Sequence, residues 1–478
     1  MKAKAKDRGQ MGFYSTFEEQ LNHQHSLYIL ANEIQWQRFE DAFSKHYSAD
    51  MGAPAKPIRL MVSLLILKQL RNLSDESVVA QWAENSYYQY FSGEDCFCGA
   101  EPCSATELVE FRKRIGEKGV ELILEESIRI NGKDGQEGTL SADTTVQEKN
   151  ITYPTDDKLY KKIIHKCIGI AEQENIELRQ SYTRTVKKLS IVQRLKRTKG
   201  GEGRARKASK KIKTIAGRLT RELERKLSPD ALNQWGADLS LFQQVLSQKR
   251  NDSDKIYSLH EPQVKCFSKG KEHRKYEFGS KASFLVTQKT GVIVGAMNFT
   301  NNLHDSKTLP AALEQHQRLT DIAASAVYAD RGYAGPKQIN KIPIYLPKPD
   351  KNITAAKRKH HGRRAAIEPV IGHLKQDYRM VRNFLKGSLG DSINVMMAAA
   401  AMNFKRKMNI WEKGELFLAR SFSFLLQRFF QKYVSSINLK IKVDFLRDDY
   451  LQETKIIKTR LTLIAPLKEE KMNAEMKN

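Results

Sequence analysis

Residues 138–156 read GTLSADTTVQEKNITYPTD, and they separate two kinds of pattern in the chain. Before them, apolar residues recur at helical spacing. Within them, Thr, Val and Ile crowd together ahead of turn residues, which predicts a strand or hairpin. A helical region therefore gives way to a sheet near Gly138. Asp143 falls near the end of the first strand.

Outward to the N-terminal side, residues 1–131 predict a helical domain. In GAPAKPIRLMVSLLILKQLRNLSDESVVAQW (52–82), Pro57 opens an almost wholly apolar helix and Asn72–Leu73 breaks it. Ser74 then caps a second helix carrying Val78, Val79 and Trp82. In PCSATELVEFRKRIG (102–116), Ser104 and Glu107 have capping-box spacing, and Leu108, Phe111 and Ile115 form an apolar face. Arg112, Lys113 and Arg114 lie beside it. Short helices with a basic last helix suit a helix-turn-helix reader of DNA, with Arg112 and Arg114 as contacts, and they equally suit any small helical bundle.

On the C-terminal side, residues from about 155 to 250 are helical and very basic, with KGGEGRARK (199–207) predicted as a basic loop. A run so nearly of one sign favours contact with phosphates, with little sequence preference and strong salt dependence. KASFLVTQKTGVIVGAMNF (281–299) predicts a hairpin turning at Lys289–Gly291. TLPAALEQHQRL (308–319) is a helix, ASAVYAD (324–330) a buried strand ending in Asp330, and KIPIYLP (341–347) another strand. A helix over 391–412 has a small-residue face suited to close packing. The order predicts a mixed α/β sheet flanked by helices. The domain reading is 1–131, then 132–412 with the basic insertion, then an extension over 413–478 without an assigned role.

Composition narrows the partners. The 478 residues carry 81 Lys+Arg against 55 Asp+Glu, a formal net charge of +26. Such a surplus implies a polyanion, and nucleic acid before a membrane surface. No apolar run is long enough to cross a bilayer, and the basic N terminus lacks the apolar segment of an export signal. Five cysteines suit a reducing cytosol, so a cytoplasmic, nucleoid-associated protein is expected. Cys96, Cys98 and Cys103 are irregularly spaced for zinc, and a reduced loop packing small thiols is the favoured account.

The segment HHGRRAAIEPVIGHLKQDYRM (360–380) holds one acid among cations. On a continuous helix His361, Arg364, Glu368 and Lys375 would project within a stripe of roughly 60°. One reading is a carboxylate holding a metal beside phosphate. The other is a surface ion-pair ladder, worth a few tenths of a kcal/mol per pair. Pro369 either kinks this helix at the acid or marks a helix starting there. Asp143, Asp330 and Glu368 are far apart in sequence, yet the inferred topology can bring them to one sheet edge. Three carboxylates are hard oxygen ligands for Mg²⁺ or Mn²⁺, and two such ions about 3.5–4 Å apart would serve an in-line phosphoryl displacement.

SADTT, YADRGYAG and RRAAIEPVIGHLK resemble the DDE transposases of bacterial insertion sequences, in particular the group named for insertion sequence five. In that group the last segment runs tyrosine, two residues, arginine, three residues, glutamate, six residues, lysine. Arg364, Glu368 and Lys375 match it, and His361 stands where the tyrosine is usual. The likeness runs over roughly residues 10 to 412. It implies an RNase H-like fold, cleavage at the element's ends, strand transfer by a 3′-hydroxyl, and catalytic metal ligation by Asp143, Asp330 and Glu368. It also implies DNA contacts by Arg364 and Lys375, and His361 on the same stripe is read as a further DNA contact; double-stranded DNA and a homodimer or higher assembly are the implied partners. For His304 and Asp305 a place near the site and a helix cap are both open readings, and Tyr333 is read as packing. A catalytically silent DNA-binding descendant and a plain RNase H-like nuclease are the competing functions.

Overall fold

The computed structural model describes residues 16–48, 52, 54–249, 251–268, 275–347 and 354–434. The chain divides into two compact units, residues 1–412 and 413–478. The described residues of the second are helical.

The first unit opens with helices α1 (Phe17–Gln20), α2 (Ser26–Glu33), α3 (Trp36–Phe43), α4 (Ile58–Leu70), α5 (Asp75–Glu84), α6 (Ser86–Phe91) and α7 (Ala105–Asn131). Helix α4 is buried almost all round, as its unbroken apolar run requires. The Ser74 hydroxyl accepts from the Ser77 amide, and the Ser104–Glu107 capping box forms. Helix α7 kinks at Gly116, whose φ of +62° only glycine adopts without strain.

Arg112 corrects an expectation. It is 5% exposed, and its guanidinium grips both oxygens of Asp75 at 2.7 Å, while Lys68 reaches the same carboxylate at 2.8 Å. A buried, bidentate arginine presents no charge to DNA; it joins α4, α5 and α7. Arg114 is exposed and lies over the Tyr47 ring.

Next come β1 (Thr139–Glu148) and the insertion, α8 (Asp156–Gln173), α9 (Thr183–Arg194), α10 (Gly201–Lys226) and α11 (Pro229–Ser247). The KGGEGRARK stretch is mostly the first turns of α10 and not a loop. Gly200 supplies the left-handed N-cap at φ +68°. Gly201 lies so close to the turn before it that a Cβ would meet the Leu195 carbonyl at 2.1 Å. Glycines that look like breakers here permit a tight helix entry.

The rest of the unit holds β2 (Lys265–Ser268), β3 (Tyr276–Thr287), β4 (Ile293–Phe299), α12 (Asp305–Thr320), β5 (Ala326–Tyr328), β6 (Gln338–Ile339), β7 (Ile342–Tyr345), α13 (Ala355–Arg364), α14 (Ile367–Gln376) and α15 (Gly387–Val434). The sheet runs β2-β3-β1-β5-β7-β6, with β4 on β3 beside β2. The β4-β3-β1 meander is antiparallel in its pairings, and β1, β5 and β7 pair parallel. Helix α12 crosses from β4 to β5 and packs on β1, β3 and β4, whereas α14 packs on β1 and α13 on β5. An antiparallel meander feeding a parallel extension, with helices packed against it, is the RNase H-like fold.

One hydrophobic core runs from Leu27 through the sheet to Met408, so the N-terminal helices and the sheet are buried against each other. A second core, Leu159 to Leu259, belongs to the insertion. At the end of β1, the buried Lys149 ammonium reaches Asp391 at 2.7 Å and Glu261 at 3.3 Å. Two expectations change in detail. Residues 138–156 give one strand and the start of α8, with no hairpin, and residues 360–380 form two helices parted at Ala365–Ala366. The single stripe read across His361 to Lys375 is therefore interrupted.

Candidate active site

The parallel ladder of β1 and β5 has three rungs, ending at Ser141 opposite Tyr328. Asp143 and Asp330 each lie two residues past that last rung. Side chains two apart on extended chain share a face, and Asp330 is extended at φ −80°, ψ −179°. Both acids thus leave the sheet on one face, where the β5 ladder ends and β1 continues paired with β3 alone. Asp143 is mid-strand in β1 and Asp330 lies beyond β5, so the expectation that both sit at strand ends is corrected: what ends at both is the ladder.

Burial pushes the Asp143 carboxyl up to about 6; the Asp330 and Asp305 carboxylates add to this, and the Thr144 amide and Arg364 oppose it. The Thr144 N–H donates to Asp143 Oδ1 at 2.8 Å. Asp330 Oδ1 is buried without a hydrogen-bond partner. At Gly332 a Cβ would come within 3.0 Å of both Asp305 Oδ2 and Asp330 Oδ1, so the glycine keeps open the space between the two carboxylates. Tyr333 is 2% exposed, and burial, with Asp143, Asp305 and Asp330 nearby, raises its pKa well beyond the usual range, opposed by the Ser283 hydroxyl. It is a packed phenol that keeps its proton inside the acid cluster.

Asp305 belongs to this cluster. Its Oδ1 accepts from Thr144 Oγ1 at 2.8 Å and from Lys281 Nζ at 2.7 Å, tying α12 to β1 and β3. His304, the N-cap of α12, accepts no backbone N–H and instead meets Ser306 Oγ at 2.8 Å. Lys281 was not singled out from sequence. The signal for it was a lysine opening the largely apolar stretch KASFLV.

Glu368 is the exposed member of the three acids. Helix α14 starts at Ile367, which puts Glu368 in its first turn and favours the helix-start reading over a kink. Its side chain is 66% exposed and meets Arg364 at 3.7 Å. Arg364 is 19% exposed, and its charge also favours the ionised form of Asp143. His361 sits edge-on to Tyr328, and burial lowers its pKa, so at neutral pH it adds no charge beside Arg364. Lys375 lies half-buried in the last turn of α14. Among the described residues no three His, Cys, Asp or Glu side chains gather as a metal cage. Asp143 and Asp330 nonetheless fit a cation: they repel each other, one oxygen is orphaned, and the donors are the hard oxygens that Mg²⁺ takes.

A testable consequence follows from the raised Asp143 carboxyl. With an unfolded value near 3.9 and a folded value of about 6, the folded state prefers the proton. The resulting stability is full below about pH 4 and is lost as pH rises through about 6. In metal-free buffer Asp143→Asn is expected to change little at pH 4 and to add about 2 kcal/mol at pH 8. Urea unfolding at both pH values measures it, and an equal change at both would assign the effect to packing.

An RNase H-like sheet carrying two acids past the β1–β5 ladder has the donor set that metal-dependent phosphoryl transfer uses. Comparison with known proteins specifies it further. Residues 15–114 match the family described as Transposase domain (DUF772), and residues 250–404 match the family described as Transposase DDE domain. The chain is 40% identical over 176 residues to "Uncharacterized protein ORF8 in nfe locus" of Rhizobium meliloti, a stretch covering 36% of this chain and 84% of that protein. No solved structure gives a significant match. The chain belongs to the DDE transposases of insertion sequences, enzymes with nuclease and strand-transferase activity. They bind DNA and depend on a metal, generally Mg²⁺. Among the described residues no helix is long and apolar enough to cross a membrane.

Proposed function

We propose that this transposase is of the insertion-sequence-five type. It binds the terminal inverted repeats, cuts DNA at the element's ends and joins the 3′-hydroxyl ends to target DNA, acting in the cytoplasm at the nucleoid as a homodimer or larger assembly. The observation that supports this best is the equivalent placement of Asp143 and Asp330 past the last rung of one parallel ladder. Asp143, Asp330 and Glu368 are the proposed ligands for two Mg²⁺ or Mn²⁺ ions, with Glu368 turning in from solvent to complete the set. Ions held there would supply charge stabilisation at the attacking and leaving oxygens.

The remaining work falls to protein groups. Arg364 offers a fork of N–H donors to a phosphate beside Asp143, and Lys375 offers a point charge from the helix that carries Glu368. Lys281 holds Asp305, and Asp305 holds Thr144, whose amide fixes Asp143. Residues 1–131, with Arg114 on their surface, recognise the ends.

A labelled duplex carrying candidate inverted repeats, incubated with Mg²⁺, tests this: nicked and joined products are expected, and binding without nicking overturns it. In the same assay Lys375→Ala and Arg364→Lys should each depress joining on the order of tenfold to a hundredfold, because a charge-assisted contact contributes roughly 1.5–3 kcal/mol and a lysine lacks the guanidinium fork. Unchanged joining with slightly lowered stability would return both residues to a surface ion-pair role.

A further inference from the structure

The insertion α8–α11 lies between the two matched regions and encloses its own core. Such a core makes it a semi-independent module presenting whatever surface its polar faces carry. Over residues 183–226 that surface has 17 Lys+Arg against 3 Asp+Glu. A groove of about 590 Å³ runs between α9 and α10, lined by Tyr182, Thr185, Lys207, Lys210, Lys211 and Arg218 among others. No acid lines it.

The cations follow helical geometry. Lys207, Lys210, Lys211 and Arg218 fall at i, i+3, i+4 and i+11 on α10, so they share one face and are exposed. The opposite face, with Ile212, Ile215, Ala216 and Leu219, is buried in the module's core. At ~1.5 Å per residue the row spans roughly 16 Å, about five base pairs of one strand at ~3.4 Å each. None of the four is in an ion pair among the described residues, although glutamates at i±4 could have been placed to neutralise them, as Glu202 does for Arg206. Four unpaired like charges facing one groove repel each other unless a polyanion occupies it.

We propose that this groove docks the phosphate backbone of duplex DNA, outside the catalytic site and without reading bases. The proposal rests on the transposase reading for its choice of polyanion. The groove itself favours a duplex over a single strand. Its one aromatic ring, Tyr182, packs against the module's core and offers no platform on which unstacked bases could lie. Its neutral donors, Thr185 and Gln180, suit phosphate oxygens as well as the lysines do.

The test uses the full chain and a fluorescein-labelled 30-base-pair duplex of random sequence. The fourfold variant Lys207→Ala, Lys210→Ala, Lys211→Ala, Arg218→Ala should bind on the order of 10²–10³-fold more weakly at 0.15 M KCl. Its plot of log affinity against log [KCl] should be shallower by about 3–4. The variant that replaces the three lysines with arginine should keep the wild-type slope. Thermal unfolding confirms that the exposed substitutions leave the fold intact. An unchanged slope overturns the proposal, as does a wild type that binds a single strand of equal length more tightly and loses that binding in the fourfold variant. Failure of the transposase reading looks different: the wild type binds the duplex with full salt dependence and produces no nick in an end-bearing substrate.

Discussion

Replacing Asp143 or Asp330 with alanine is expected to lower end cleavage by at least about a thousandfold while leaving affinity for end DNA nearly unchanged. The size follows from the several kcal/mol that a metal ion contributes at a phosphoryl oxygen, each 1.36 kcal/mol being about tenfold in rate. The asymmetry follows from where charge lies: the acids act on the transition state, whereas binding draws on basic surface elsewhere. Affinity should even rise slightly, since a carboxylate near the phosphates has been removed. Glu368→Ala separates two pictures. If Glu368 turns in to complete the ligand set, its loss matches that of Asp143. If it remains on the exposed ion pair with Arg364, cleavage falls less than about tenfold and Asp305 becomes the third acid to test. Single-turnover cleavage beside a binding isotherm on the same duplex reads all of these.

Much of this arrangement is legible in the sequence. The change of period at Gly138, the hairpin at Lys289–Gly291 and the buried strand before Asp330 are local patterns, and local patterns fix local structure. The pairing of Asp143 with Asp330 needed the order of elements, which the strand-helix-strand alternation carried. Other features depend on long-range contacts that no window of sequence holds. Arg112 looked like a surface cation because it follows Phe111 in a basic triplet, but Asp75, 37 residues earlier, draws it inside. Asp305 looked like a cap, and only the fold brings Lys281 and Thr144 to its carboxylate. The glycines of 199–207 were misread because a breaker by propensity can also be a requirement of close packing. In the 360–380 segment the single stripe holds only on a continuous helix, and the break at Ala365–Ala366 interrupts it; Pro369, tolerated in a first turn, was the one local signal for a helix starting there.

The second large effect is one of stability. Lys149 follows β1 directly, and its ammonium, 3% exposed, meets Asp391 Oδ1 at 2.7 Å, Glu261 Oε2 at 3.3 Å and the Gly387 carbonyl at 3.0 Å. Asn383 donates to the same Asp391 oxygen, and the Gly387 amide donates to Glu261. One cation thus ties the strand bearing Asp143 to the start of α15 and to the chain leaving the insertion. Lys149→Ala should cost about 3–5 kcal/mol, because it leaves two buried carboxylates facing each other without a counter-charge. The loss should depend on pH. Burial already holds the Asp391 carboxyl above its ordinary range, and Lys149 pulls it down. Without that cation it rises further, and a raised carboxyl contributes stability that is lost as pH climbs through its folded value. The deficit is therefore larger at pH 8 than at pH 5. The variant Lys149→Met, Asp391→Asn, Glu261→Gln removes all three charges together and should recover most of the stability, since a neutral cluster leaves no buried ion unpaired. Urea unfolding of the three proteins at both pH values measures each difference. A loss under about 1 kcal/mol that is the same at pH 5 and pH 8 would mean that water already reaches this cluster, and that β1 is held in place by the apolar core alone.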